Sequence, residues 1–445
     1  MSDQTDRPLV VWILNHYAHP RDVPGSSRHH DLGAELVRRG NQVIVFSSSF
    51  DHFSHKYVRH VPSAGWLTES VDGVDWVWLS TSAYHGNDAR RVFSMFQYEH
   101  RVRKVAIRLL RMNRVPRPDV IIGSTAHPLA AQAGASLANT LGVPFILEVR
   151  DLWPETLIDM GALRRNSVLA RALTRVEGSL CNESSGIIVV PDKATDYYSQ
   201  RGIPMNKMLW IPNCVNLEEY TCTVPSVAKP ANDALFNVVY MGALGANDGM
   251  RNAVEAWALL ERAGHSDIQL ILYGEGTEKP ALMDLVRSRR LSSVSFRDRV
   301  PKNQVPAILD RADAALMCLL SLPLYRYGVS PNKLGDYMAA GKPAIYSSDW
   351  SIVALESSRC AIRCAAEDPQ ALMEAVLQMR TKSEADRAKM GRRARVYAEH
   401  VLGIREVGGR LDAGLRRVIE GSAIADGATS EAPAEALGVR SPLLR

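Results

Sequence analysis

Short unbroken apolar runs recur along the chain, each closed by a polar turn. Leu9–Leu14 is the first, and a run of this kind predicts a strand buried on both faces. A polar, glycine-containing loop (Asn15–Ser27) follows, then an amphipathic helical pattern near Arg28–Arg39 that stops at Gly40. A second buried strand is expected at Gln42–Ser47. Strand, loop, helix, glycine stop and strand form the βαβ unit of a parallel doubly wound sheet. The same order predicts strands at Asp119–Gly123, Phe145–Val149 and Gly186–Val190.

Around Cys222–Asp233 large apolar residues give way to Thr, Pro, Ser, Lys and Asn, the composition of a linker. The pattern restarts at Phe236–Met241 and continues through Ile268–Tyr273, Val294–Phe296, Ala314–Leu319 and Ala344–Ser347. The expected architecture is α/β, with a Rossmann-like domain over residues 1–222, a linker over 223–233 and a second Rossmann-like domain over 234–400. A helix over 401–420 is expected to pack back toward the first domain. The Ala-, Gly-, Ser- and Glu-rich tail over 421–445 is expected to be disordered. Two such domains in series are expected to face a central cleft, because ligands of open α/β sheets bind outside the carboxyl ends of the strands.

Composition narrows the class. The 445 residues, 46% hydrophobic and 23% charged, suit a soluble globular protein of two or three domains. A net charge of +5 leans mildly toward anionic partners. The six cysteines form neither CxxC pairs nor zinc-finger spacings, which fits a reducing cytosol. Cys360 and Cys364 could be metal ligands at helical spacing, but without histidine companions packing is the preferred reading. The N-terminus begins with acidic and polar residues, unlike a secretory signal, and apolar runs of about 18 residues are absent. A cytoplasmic location is expected.

Ser330–Pro343, SPNKLGDYMAAGKP, is punctuated as a short helix. Ser330 suits the N-cap, Pro331 the first helical position, Gly341 the position after the helix, and Pro343 blocks continuation. The amides of Asn332, Lys333 and Leu334 then face outward at the positive end of the helix dipole, a diphosphate site to which Lys333 adds a full charge. Asp336 lies on the face of Lys333, while Leu334 and Met338 point to the core. A carboxylate there can accept hydroxyl hydrogens from a ribose or hexose; a Lys333–Asp336 surface pair is the alternative.

This segment resembles the signature of retaining glycosyltransferases of the GT-B fold, family four. Its Ser-Pro-x-Lys opening resembles the branch that builds bacterial cell-surface polysaccharides. The resemblance runs from Val10 to about Val401 and includes IPNCVN (Ile211–Asn216), YMGALGANDG (Tyr240–Gly249), YGEG (Tyr273–Gly276) and Phe296–Val305. It implies donor nucleotide-sugar contacts at Gly25, Gly242, Gly245, Gly274, Arg299, Val300, Ser330, Asn332, Lys333, Leu334 and Asp336. On the same resemblance, main-chain groups near Arg299 and Val300 would read the base, and Asp336 would hold the ribose hydroxyls. The resemblance has gaps: Gly328 stands where the first glutamate of a Glu-x7-Glu pattern belongs, and Ala243 and Asp248 replace phosphate-gripping Arg and Lys.

EVRDLWPE (Glu148–Glu155) follows the apolar run Phe145–Leu147 and places charge at the strand's carboxyl end. Arg150 and Asp151 stand where relatives place a His-Asp pair and are the catalytic candidates. Arg150 can neutralise phosphate charge and Asp151 can accept a hydroxyl hydrogen; the alternative is an Arg150–Asp151/Glu155 network that holds the loop. In the first loop, Gly25 precedes a helix, and His16 and His19 are either bases or solvated. The resemblance implies front-face transfer assisted by the leaving diphosphate, so neither a metal nor a cofactor is expected. Glu99–Pro118 holds seven Arg or Lys against one Glu, with Val102, Val105, Ala106 and Leu109 at helical spacing. That helix suits either an anionic membrane surface or ordinary packing with a solvated basic face. Phe93, Met95, Phe96 and Tyr98 just upstream favour the membrane, and without a nucleic-acid motif no nucleic-acid partner is expected.

The expected activity is transfer of a sugar, most simply from a UDP-sugar, to an undecaprenyl-diphosphate-linked saccharide at the cytoplasmic face of the inner membrane. The rivals are a GT-B-type nucleotide-sugar epimerase, a non-catalytic sugar-nucleotide-binding subunit and a tandem Rossmann dehydrogenase. The last lacks GxGxxG with a following acid.

Overall fold

Among the described residues, fourteen strands fall into two sheets. The fold is a computed structural model that describes residues 7–23, 27–52, 54–86, 88–220 and 235–422. Gly25, the 223–233 linker and the tail beyond Ser422 lie outside the described residues.

The first sheet comprises β1 (Val10–Leu14), β2 (Gln42–Ser48), β3 (Trp66–Val71), β4 (Val74–Leu79), β5 (Val120–Ser124), β6 (Phe145–Val149), β7 (Gly186–Val189) and β8 (Met208–Trp210). Their order is β3-β4-β2-β1-β5-β6-β7-β8, parallel throughout except for the antiparallel β3–β4 pair. Trp12, Trp76 and Trp78 are fully buried, as expected for strands covered on both faces. The hairpin β3–β4 is absent from the sequence-based expectation. Its turn is Asp72-Gly73, both at positive φ (50° and 80°), the dipeptide that fits a tight two-residue hairpin.

The second sheet comprises β9 (Phe236–Met241), β10 (Ile268–Tyr273), β11 (Val294–Arg297), β12 (Ala314–Cys318), β13 (Ala344–Ser347) and β14 (Ala361–Cys364). It is parallel, in the order β11-β10-β9-β12-β13-β14. Buried Trp257 packs against it and donates to Ile268 O at 3.0 Å. Cys364 ends a strand, so Cys360 and Cys364 do not share helical spacing. Among the described residues no group of His, Cys, Asp or Glu is arranged to hold a metal ion.

Contacts divide the chain at Pro212–Asn213, ahead of the boundary expected at 222; the helix Ile404–Ile419 belongs to the first unit and Asn213–Gly403 to the second. That helix packs on the helix Arg28–Arg38, where Gly408 leaves room for Glu35. Asn41 Nδ2 donates to Asp412 Oδ1 at 2.8 Å beside it. None of the described helices is long and apolar enough to cross a membrane.

Candidate active site

In the second unit the loops after β9 and β10 zip together at the carboxyl end of the sheet. Gly242 N–H donates to Tyr273 O at 3.0 Å and Leu244 N–H to Glu275 O at 2.9 Å. The fit is close: a Cβ on Gly274, whose φ is 152°, would lie 1.8 Å from Gly242 O. A Cβ on Gly242 would lie 2.9 Å from Lys333 Cε. Three of the expected residues, Gly242, Gly274 and Lys333, are therefore neighbours, and Gly245 lies on the same loop.

The helix spans Asn332–Ala339, and Pro331, not Ser330, is its N-cap. Pro331 has extended ψ (139°), which keeps it outside the helix, and its carbonyl accepts Leu334 N–H at 3.1 Å. The outward amides are thus those of Asn332 and Lys333, while Leu334 is buried. Ser330 instead anchors the end of the segment that enters this unit. Its Oγ accepts Asn213 N–H at 3.0 Å, and its carbonyl accepts Asn213 Nδ2. Tyr337, whose OH accepts Met241 N–H at 2.9 Å, pins the helix to the end of β9.

Lys333 and Asp336 do not pair with each other. Lys333 Nζ donates to Tyr240 OH at 2.6 Å and to Asp248 Oδ1 at 2.8 Å. Asp336 is buried and accepts from Tyr220 OH at 2.7 Å and from Lys302 Nζ at 2.5 and 2.7 Å. Lys302, Tyr220 and Tyr240 are absent from the sequence-based site. The segment Phe296–Val305 points to the loop after β11 but does not single out Lys302. Arg299, exposed, and Val300, half-buried, lie in that loop, two or three residues before Lys302.

In the first unit, Glu148 at the end of β6 is fully enclosed. It accepts from Arg28 Nε at 2.9 Å and His29 Nε2 at 2.6 Å. Burial alone would raise its carboxyl, but His29 and Arg28 outweigh this and hold it well below the usual carboxylate range. Arg28 also donates to the carbonyls of Ile211 and Pro212, tying β6 to the end of the first unit. Arg150 N–H donates to Thr125 Oγ1 at 3.2 Å, and Asp151 is exposed. Glu155 accepts from Arg165 at 2.8 Å and Arg201 at 3.1 Å.

The first-loop histidines are buried, not solvated. His16 lies between the rings of Tyr17 and Tyr98, at 4.5 and 4.6 Å, with its Nδ1 2.8 Å from His127 Nε2. Burial lowers His127 to about 3 and His16 well below its ordinary value, so both stay neutral near pH 7. Aromatic packing on both ring faces left no room for the solvated alternative. Tyr98 is likewise buried and donates to Phe46 O at 2.7 Å, so it takes no part in an outer surface.

Residues 25–214 match the family described as "Glycosyl transferase 4-like domain", and residues 236–382 match "Glycosyl transferases group 1". The first match spans β2 to β8, and the second spans β9 to β14. The chain is a glycosyltransferase of the GT-B fold. This transferase is 26% identical to the glycogen synthase of Mycobacterium tuberculosis over 371 residues, 80% of this chain and 82% of that protein. The sucrose-phosphate synthase of Thermosynechococcus elongatus superposes with a TM-score of 0.70 at 15% identity, covering 94% of this chain and all of that one. Anabaena HepE in complex with UDP-glucose superposes with a TM-score of 0.64 at 13% identity, covering 92% and 99%. At these identities the structural likenesses speak for the two-domain fold.

Proposed function

We propose that this glycosyltransferase takes its sugar from a UDP-sugar, with retention of configuration, and gives it to a lipid-linked saccharide during cell-surface polysaccharide synthesis. The observation that carries the donor half is the grouping of the Asn332–Lys333 helix start, Gly242 and Lys333 at the carboxyl end of β9. Two outward amides, the helix dipole and one ammonium suit a diphosphate that gains charge as the sugar leaves. Asp336, on the same helix, is the acceptor for ribose or sugar hydroxyls. A structural relative solved in complex with UDP-glucose supports a UDP-hexose donor.

Lys333 already has a carboxylate partner in Asp248. A diphosphate placed there attracts Lys333 away from Asp248 or shares it, and Asp248 offsets part of the attraction. Arg150 and Asp151 are the acceptor-side pair: Arg150 neutralises phosphate charge and Asp151 accepts from the attacking hydroxyl. Cations and the helix terminus can supply the charge compensation, and the reading takes the reaction to be metal-independent. EDTA should then leave the rate unchanged.

The acceptor half rests on the Ser-Pro-x-Lys opening and on the basic helix Ala89–Arg111. The test is a panel of UDP-, GDP- and dTDP-sugars with membrane lipid extract. Donor-dependent release of nucleoside diphosphate that needs the extract supports transfer. Interconversion of the donor without release supports an epimerase, and binding without either supports a non-catalytic subunit.

A further inference from the structure

The first unit exposes two apolar spots on one layer of helices. The helix Ala89–Arg111 contacts the helix Pro128–Leu141, which in turn contacts the helix Val168–Glu183. All three are crossovers leading from one parallel strand to the next in the same direction across the sheet, so they share one face. Their N-termini lie at the carboxyl end of the sheet. In the first two turns of the first helix, Phe93 is 57% exposed, Phe96 54% and Val92 50%. At the start of the third, Val168 is 84% exposed and Leu169 58%, with Met160 at 45% just before.

Both spots stand in positive surroundings. Between Met160 and Val176 the chain carries Arg164, Arg165, Arg171 and Arg175 and no acid. The helix Ala89–Arg111 carries seven Arg or Lys against Glu99 alone. Arg165 is paired with Glu155 and Arg103 with Glu99, while Arg164, Arg171, Arg175 and Lys104 are exposed. The buried side of the first helix is Ser94, Tyr98, Val102, Ala106 and Leu109, so Phe93 and Phe96 serve no internal core.

We infer that these two spots together form one docking surface for an anionic lipid bilayer, with Val168 and Leu169 as a second insertion point beside Phe93 and Phe96. The inference deepens the lipid-linked acceptor reading and rests on it for its purpose, though not for its observations. Exposed aliphatic and Phe side chains on arginine-rich helices match the acyl boundary and the charged headgroups above it. A second copy of the chain fits poorly, because an isologous contact would set arginines against arginines. A nucleic acid fits the Val168 spot poorly too, since Met160, Val168 and Leu169 offer no aromatic stacking face.

The full chain is tested by flotation with phosphatidylcholine vesicles, with and without phosphatidylglycerol. The wild type should bind the anionic vesicles and lose most binding on them at high salt. Val168→Glu/Leu169→Glu and Phe93→Glu/Phe96→Glu should each weaken binding about tenfold or more. Acids in the first turn of a helix are compatible with its dipole, so the first pair should fold normally, which circular dichroism and UDP binding check. Wild type that ignores anionic vesicles, or a Val168→Glu/Leu169→Glu variant that binds like wild type, overturns the surface. So does a wild-type dimer in sedimentation that these variants turn into a monomer. Vesicle binding without transfer to any lipid extract upholds the surface and overturns the acceptor reading; transfer without vesicle binding does the reverse.

Discussion

Lys333 Nζ lies 2.8 Å from Asp248 Oδ1, so the cation assigned to the donor diphosphate is already matched by a carboxylate. Asp248 also lies 2.8 Å from Tyr240 OH, which holds the three groups as one cluster. Asp248→Asn removes the opposing charge and keeps the shape. UDP should bind it about three- to tenfold more tightly, as calorimetry can measure. Weaker binding would mean that Asp248 is needed to aim Lys333.

The glycines of the zipped loops should differ in kind. A Cβ on Gly274 meets backbone, Gly242 O at 1.8 Å, whereas one on Gly242 meets the flexible end of Lys333. Gly274→Ala should therefore destabilise the protein by about 2 kcal/mol or more in thermal or urea unfolding. Gly242→Ala should unfold near the wild-type midpoint but bind UDP more weakly, because it displaces Lys333.

Much of the fold was legible because parallel strands buried on both faces leave unbroken apolar runs, as in Val10–Leu14 and Phe236–Met241. The hairpin Trp66–Leu79 was missed although Asp72-Gly73 marks it, because its strands mix polar and apolar residues. The helix after Pro331 was legible from its punctuation, one residue out. Its partners were not. Asp248 and Tyr240 lie 85 and 93 residues from Lys333, and Lys302 and Tyr220 lie 34 and 116 from Asp336. Local spacing cannot report such pairs; only the folding of β9, β11 and the segment before the linker onto one helix creates them.

Asp336 takes both Lys302 and Tyr220. If it also holds donor hydroxyls, Asp336→Ala should raise the donor KM about tenfold or more, the cost of a hydrogen bond to a charged group. Lys302→Ala should have a smaller effect, since Lys302 is half exposed and such pairs contribute about 1 kcal/mol or less. An unchanged KM in Asp336→Ala would leave Asp336 as a purely structural anchor.

Glu177 gives a pH signature away from the site. Its carboxyl accepts from Tyr198 OH at 3.0 Å and Tyr197 OH at 3.1 Å, yet burial outweighs both and pushes it up to about 7. With the folded value above the unfolded one, the native state binds the extra proton. That stability is fully present below about pH 4 and is lost as pH rises to about 7. Glu177→Gln should flatten the fall, on the order of 1 kcal/mol per pH unit, in urea unfolding measured from pH 5 to 8.

The central claim is that the donor diphosphate binds at the start of the helix Asn332–Ala339 with Lys333. Calorimetric titration of UDP into wild type, Lys333→Ala and Arg150→Ala tests it most directly. Lys333→Ala should lose about tenfold or more in affinity, and Arg150→Ala should keep wild-type affinity. Equal affinity in wild type and Lys333→Ala would contradict it.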